Sequence, residues 1–444
     1  MKNVVLSLLL LGTYITGYAQ VAQSPYQTIV SADGSGNFRT IQAAINAVPD
    51  GRTEPWMILL KNGSYNEQVV IPESKPYIHL IGQDREKTII HLNLNVGGKI
   101  TGRESEGKRA YWKSSVHNPS SPVYKYEGTV VLVEGDHFYA ENISFVNDWG
   151  VEAENGPQAL AMSSQADCVS FNNCKFRSFQ DTWMTANDDL SRHYVKDCWI
   201  EGAVDYFYGG GNVLLENCTL YNVRSGAVIV APAHKNAKYG YAFRDCIIDG
   251  NSLASDGRVK LGRPWHNSPK AIYINTTMRI PIAAEGWTDM GTIPGSFAEY
   301  NSRDMQGNVL DLSKRKTNYQ YKDRASGEII SGKCRATLTK TEAAEYTYEN
   351  MIPGDDNWNP RGIMEELRAP RNLIYQQGTL TWQPVKNAIG YIIYDGEQII
   401  GTTTATAFPV LKVNYALKVS AVNKSGSQGK KAVSYTHLTL PTKA

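Results

Sequence analysis

Three short segments of this chain hold residues whose types suit one kind of chemistry. They are Gly156-Pro157-Gln158-Ala159-Leu160, Gln180-Asp181-Thr182 and Gly202-Ala203-Val204-Asp205-Tyr206-Phe207-Tyr208-Gly209. The segments fall in register with a repeat described below, so Gln158, Gln180, Asp181 and Asp205 are expected to converge on one face. Two carboxyls with two carboxamides suit covalent acyl transfer: an ionised Asp attacks, a protonated Asp donates to the leaving group, and amide N–H groups hold the oxyanion. Other chemistries have less to draw on. No Gly-x-Ser-x-Gly elbow occurs in the chain, which disfavours a serine esterase of that type. The eight histidines, at 79, 91, 117, 137, 193, 234, 266 and 437, show neither His-x-x-x-His nor a His/Cys pair at metal spacing, so no metal site is expected.

The repeat that must position these residues is written around the cysteines. Asn173-Cys174-Lys175-Phe176, Asp197-Cys198-Trp199-Ile200, Asn217-Cys218-Thr219-Leu220 and Asp245-Cys246-Ile247-Ile248 share one pattern and recur at intervals of 24, 20 and 28 residues. Asn142-Ile143-Ser144-Phe145 and Asn275-Thr276-Thr277-Met278 continue the series with Cys replaced. A loose period of this length, with strand-like segments between Asn or Gly corners, predicts a solenoid of stacked β coils. Equivalent side chains then align along the axis, and Cys174, Cys198, Cys218 and Cys246 are expected to form an interior ladder of reduced thiols rather than disulfides. An antiparallel sandwich would show hairpin spacing of about 8 to 12 residues, which this region lacks. Two helices are predicted, one capped by Thr40 over residues 41–47 and one opened by the capping box Thr339-x-x-Glu342.

Composition bounds the partners. The 444 residues are 42% hydrophobic and 20% charged with a net charge of +2, which fits a globular protein and disfavours a nucleic-acid binder. The chain has 26 Tyr and 9 Trp against 10 Phe, a bias toward amphipathic rings of the kind that meet hydroxylated ligands such as sugars. Residues 1–19, with Lys2, the apolar run from Val4 to Leu11 and Gly17-Tyr18-Ala19 before Gln20, read as a secretory signal peptide, placing the protein in the periplasm or outside the cell. No run approaches the roughly 20 apolar residues that span a bilayer.

At this point the chain resembles a known family. Over residues 28 to about 362 it looks like a pectin methylesterase, through Asp33-Gly34-Ser35-Gly36-Asn37-Phe38-Arg39-Thr40-Ile41, Gly63-Ser64-Tyr65-Asn66-Glu67, the segments of Gln158, Asp181 and Asp205, and Leu261-Gly262-Arg263-Pro264-Trp265. The resemblance implies a right-handed, single-stranded parallel β-helix that hydrolyses the methyl esters of polygalacturonate, without cofactor or metal and as a monomer. It implies Asp205 as nucleophile, Asp181 as general acid and then base, Gln158 and Gln180 as oxyanion donors, Arg263 as the partner that orients the nucleophile, and Trp265 as an aromatic wall. Arg263 is expected to depress the pKa of Asp205, and the nearby negative charge to raise that of Asp181. Tyr206, Tyr208 and Trp183 are candidates for substrate binding, with a core role as the alternative. Family members commonly carry Asp-Phe-x-Phe-Gly where this chain has Asp205-Tyr206-Phe207-Tyr208-Gly209.

Two further regions stand apart. Residues 96–127, with Arg103, Lys108, Arg109, Tyr111, Trp112 and Tyr124, read as a long loop that walls the cleft or merely covers the surface. Residues 367–435 show strand alternation around Trp382, Gly390-Tyr391-Ile392-Ile393-Tyr394 and Tyr415-Ala416-Leu417 and resemble a fibronectin type III module, with Trp382 as core, Tyr415 placed like a tyrosine corner, and a strand missing for want of length. Residues 436–444 read as a tail, and residues 20–362 and 367–435 as separable units. The competing functions are a β-helical pectate lyase or polysaccharide hydrolase, for which a lyase would need a calcium-binding acid cluster, and a non-catalytic carbohydrate-binding protein.

Overall fold

The computed structural model describes residues 23–96 and 128–434. The segments read as signal peptide and tail, and all but the first residue of the loop 96–127, lie outside the described residues.

Three parallel sheets of ten, nine and seven strands run along one axis, and the chain visits them in turn. One coil reads Val169–Asn172, Lys175–Arg177, Trp183–Met184, and the next begins at Arg192–Lys196. This is the parallel β-helix that the repeat predicts. The corner between the ten- and nine-stranded sheets is a single residue in the left-handed region: Asn142, Asn173, Asp197, Asn217, Asp245, Asn275 and Asn301 have φ between 49° and 57°. Short polar side chains tolerate that conformation best among residues with a Cβ. They also bond one another across coils, as in Asn173 Nδ2 to Asn142 Oδ1 (2.7 Å) and Asn301 Nδ2 to Asn275 Oδ1 (2.8 Å). The next residue points inward, so Cys174, Cys198, Cys218 and Cys246 are buried in one core cluster and unbridged. Burial pushes the thiols of Cys174 and Cys218 well above the ordinary value, which keeps them neutral and inert.

The N-terminal end is closed by the predicted Thr40 helix together with the Asp33 and Glu67 segments. Thr40 caps a helix over Ile41–Asn46, and Glu67 accepts the free backbone N–H groups of Ile41 (2.7 Å) and Gln42 (2.9 Å). Asp33 folds the preceding turn by accepting the Ser35 N–H and the Ser31 hydroxyl. A Cβ on Gly36 would lie 2.5 Å from the Ile29 carbonyl oxygen, so this close approach admits only glycine. These motifs therefore build the lid of the solenoid. At the other end Thr339 and Glu342 form the capping box of the helix Lys340–Ala343.

Residues 371–433 form two antiparallel sheets of three and four strands. The two sheets hold seven strands, so the strand expected to be missing is not. Trp382 and Leu380 of the smaller sheet pack on Tyr391, Ile393, Leu417 and Val419 of the larger. Tyr415 does not form the expected corner: it is 68% exposed, and only its backbone N–H is held, by Asp395 Oδ1 (2.6 Å).

The boundary after residue 362 is one of topology and not of packing. Ile392, Tyr394, Ile399 and Val422 of the module share one apolar cluster with Met57, Leu59, Ile81 and Tyr139 on the outer face of the ten-stranded sheet. The segment 348–364 covers the rest of that face through Tyr348, Met351, Ile352 and Trp358. Runs such as Met57-Ile58-Leu59-Leu60 and Val213-Leu214-Leu215 are buried throughout, as strands covered on both faces must be.

Candidate active site

The seven-stranded sheet carries the site on its outer face. Backbone bonds set three coils in phase: Ala159 N–H to the Gln180 carbonyl (3.1 Å) and Asp181 N–H to the Val204 carbonyl (3.0 Å). Asp181 and Asp205 have φ of 62° and 49°, and the strand Val204–Gly209 slips register against its neighbour between Val204 and Phe207. Such a bulge re-aims side chains. Here it turns Asp205 outward and leaves the next two residues, Tyr206 and Phe207, both inside. A Cβ on Gly202 would lie 2.3 Å from that of Tyr206, so the glycine of this motif makes room for the ring.

Two coils further on, Arg263 reaches back. Its Nε donates to Asp205 Oδ1 (2.8 Å) and its Nη2 to Asp205 Oδ2 (2.6 Å). The coil between contributes Ala231, next to the register pair Val230 and Gly262, and its small side chain leaves the guanidinium a path. Gln158, Gln180, Asp181, Asp205, Tyr208, Ala231, Arg263 and Trp265 line one cleft of about 220 Å³. The side-chain amides of Gln158 and Gln180 make no hydrogen bond within the described residues, so their donors are free to meet a ligand. Beneath the cleft, Val96, Leu160, Met184, Tyr208 and Ala231 form an apolar floor against which Trp265 packs. The Tyr208 and Trp265 rings meet edge to face at 5.7 Å.

Two of the aromatic candidates are not at the site. Trp183 is fully buried inside the β-helix, stacked on Phe176 at 4.2 Å with Nε1 donating to Ser164 Oγ (2.9 Å). Tyr206 is equally buried, and its hydroxyl donates to Asn222 Oδ1 (3.3 Å). Both are core residues. His266, Met290 and Arg324 line the cleft as well and were not singled out from the sequence. Only His266 carried a signal, as the neighbour of Trp265.

The electrostatics correct one expectation and support another. Asp205 is raised above the ordinary carboxylate value, because burial outweighs the hydrogen bonds and charge of Arg263; the expected depression does not occur. Asp181 is raised well above that value, first by burial and then by the charge of Asp205, with Arg263 opposing. Two carboxyls sharing a cleft titrate as a pair. The guanidinium lies against Asp205, so the pair keeps its anion on Asp205 and its proton on Asp181.

A larger depression of about 820 Å³ lies along the seam between β-helix and module, lined by Arg85, Glu86, Asn142, Asn173, Lys196 and Lys430 among others. It holds no aromatic ring, and its ions pair locally, as Lys196 does with Asp197 (2.8 Å). The acid cluster Asp167, Cys168 and Asp356 is gripped by Arg192, which bonds both carboxylates.

A parallel β-helix with an Asp–Arg pair, a second carboxyl raised well above the ordinary range and two free carboxamides on one face defines a β-helical ester hydrolase. The pectinesterase family model matches residues 27–110 and 106–355, and the chain belongs to that family. It is 35% identical over 268 residues to Pectinesterase 31 of Arabidopsis thaliana, covering 59% of this chain and 76% of that one. It is 31% identical over 355 residues to a pectinesterase of Petunia integrifolia, covering 76% and 83%. The structure of carrot pectin methylesterase superposes with a TM-score of 0.58 at 23% identity, over 74% of this chain and 94% of that one.

Proposed function

We propose that the chain hydrolyses the methyl esters of polygalacturonate through an acyl-aspartate intermediate. An Asp205 oxygen attacks the ester carbonyl carbon, and the carboxamides of Gln158 and Gln180 donate to the oxyanion that forms. The C–O bond to methanol breaks as Asp181 gives its proton to the departing oxygen. Asp181, now ionised, takes a proton from water, whose hydroxyl attacks the galacturonyl carbonyl and frees Asp205 with the carboxylate product.

The observation that carries this reading is the asymmetry of the two acids, one gripped on both oxygens by Arg263 and the other raised well above the ordinary carboxylate range by burial and by its neighbour's charge in the same cleft. Tyr208 and Trp265 serve as the aromatic wall. Methanol release from methylated pectin, measured beside absorbance of an unsaturated uronate, tests the reaction. Acid quenching during turnover, followed by mass analysis of the peptide holding Asp205, tests the intermediate. Methanol without unsaturated product, and an adduct on that peptide, are expected; an unsaturated product would favour a lyase. Export of a monomer, guided by residues 1–19, and a type III-like module at 367–435 complete the proposal.

A further inference from the structure

The cleft has a second guanidinium that the reaction does not use. Arg324 lies at the tip of the hairpin formed by Asn318–Lys322 and Ile329–Lys333, about sixty residues beyond Arg263 in sequence, and lines the same cleft as Asp181 and Asp205. Its position is fixed from both ends. In the turn, Asp323 accepts the N–H groups of Ala325 (3.1 Å) and Ser326 (2.7 Å), and the Asp323 N–H donates to the Glu328 carbonyl (2.8 Å). At the base, Tyr319 is buried in the β-helix core. Asp289 accepts the Gln320 N–H (3.0 Å) and pairs with Lys316 (2.9 Å), which ties the hairpin to the loop carrying Met290.

Arg324 itself is exposed, and among the described residues it makes no hydrogen bond or ion pair. Its charge nonetheless reaches the site: His266 is held below the ordinary value first by burial and then by Arg324. Arg263, the other cation of the cleft, has both oxygens of Asp205 to itself.

We infer that Arg324 is a specificity-determining residue that binds a free carboxylate on a unit of the polymer next to the one being hydrolysed. The inference rests on the esterase reading of the same cleft. Each unit of such a polymer carries either a neutral methyl ester or a carboxylate. A guanidinium pairs in two-point fashion with the carboxylate and has no comparable hold on the ester. At about 220 Å³ the cleft is smaller than the roughly 300–1,000 Å³ that encloses a drug-sized ligand. It therefore takes little more than the reacting unit, and a charge on its rim meets a neighbour. The product of one turnover becomes the preferred neighbour for the next, which favours contiguous runs of de-esterified units.

The test uses the full chain, Arg324→Ala and Arg324→Lys, with methanol release from one almost fully esterified polygalacturonate and one partly de-esterified. The wild type should prefer the partly de-esterified polymer, and added salt should shrink that preference. Arg324→Ala should lose about fivefold of the preference, the upper range for a solvent-exposed ion pair, through KM rather than kcat. Arg324→Lys should fall between. Unchanged melting temperatures would exclude misfolding, as a side chain at an exposed turn predicts. Equal losses on the two polymers, or a preference that survives Arg324→Ala, would overturn the inference. Absence of methanol release by the wild type from either polymer would instead overturn the esterase reading beneath it.

Discussion

The β-helix buries a carboxyl on each of two outer faces and gives them different partners. On the seven-stranded face, Asp205 meets a full positive charge and open space, with Arg263 on both oxygens. On the ten-stranded face, under the C-terminal module, Glu141 meets neutral donors. Its Oε2 accepts the Tyr139 hydroxyl (2.5 Å) and its Oε1 the Gln428 N–H (3.1 Å) and Asn142 Nδ2 (3.2 Å). Around it, Ser427 Oγ donates to the Tyr139 hydroxyl (3.0 Å), Tyr394 to Gln428 Oε1 (2.9 Å), and Gln428 Nε2 to the Gly82 carbonyl (2.7 Å). Burial raises both carboxyls. At Asp205 a guanidinium on both oxygens opposes it and favours the anion that attacks; at Glu141 only neutral donors oppose it, and the carboxyl serves to join two parts of the chain. His79 in the same seam is pushed down to about 4 by burial, which holds it uncharged near neutral pH.

The most disruptive way to break the comparison is to remove the module. Deleting residues 367–444 uncovers Met57, Leu59, Ile81 and Tyr139. At about 1.5 kcal/mol for each large apolar side chain, the loss is roughly 6 kcal/mol, comparable with the whole stability of many domains. The truncated chain should aggregate or melt far below the full chain; a soluble, cooperatively melting fragment would show that the seam contributes little.

Next in size, Asp205→Asn should abolish the nucleophile and reduce methanol release by about 10³-fold or more. An asparagine oxygen still accepts from Arg263, so the fold and melting temperature should hold. Near-wild-type release by the folded variant would remove Asp205 from its role.

Glu141→Gln probes the other carboxyl through pH. Glu141 is raised in the folded chain, so the native state holds its proton more tightly than the unfolded state. Stability therefore falls as pH rises from the ordinary glutamate range through the raised value. Glutamine has no proton to lose. Its melting temperature should gain on the wild type with rising pH above the ordinary glutamate range, and parallel curves would contradict the account.

The smallest effect is expected at Tyr208, where the buried hydroxyl has no partner among the described residues. Tyr208→Phe should stabilise by about 0.5–1 kcal/mol and change kcat/KM by less than about twofold. A marked loss of activity would show that the hydroxyl finds its partner in the substrate.

Much of this was legible in the residues themselves, because the physics involved is local. A one-residue left-handed corner selects Asn or Asp, and stacking repeats it, so the solenoid and its cysteine ladder appear as a period. The catalytic segments sit at fixed phase in that period and announce themselves as a group. Other features depend on parity and distance, which the chain does not spell out. Tyr206 went to the core because the bulge at Asp205 breaks the alternation that would have told inside from outside, and Trp183 lies in register with the inward Phe207 of the next coil. The direction of the Asp205 shift was set by burial, a property of everything packed around it and not of its partner Arg263 alone. The docking of the module was hinted at only by runs apolar on both faces, which do not name what covers them. Arg324 had no signal, since a hairpin folding back from far along the chain brings it to the cleft. The sequence by itself determined the coil, its corners and the identity of the reacting groups; the tertiary structure decided which faces are covered, which rings reach the substrate and which charges meet, because those follow from contacts between coils and units distant in the chain.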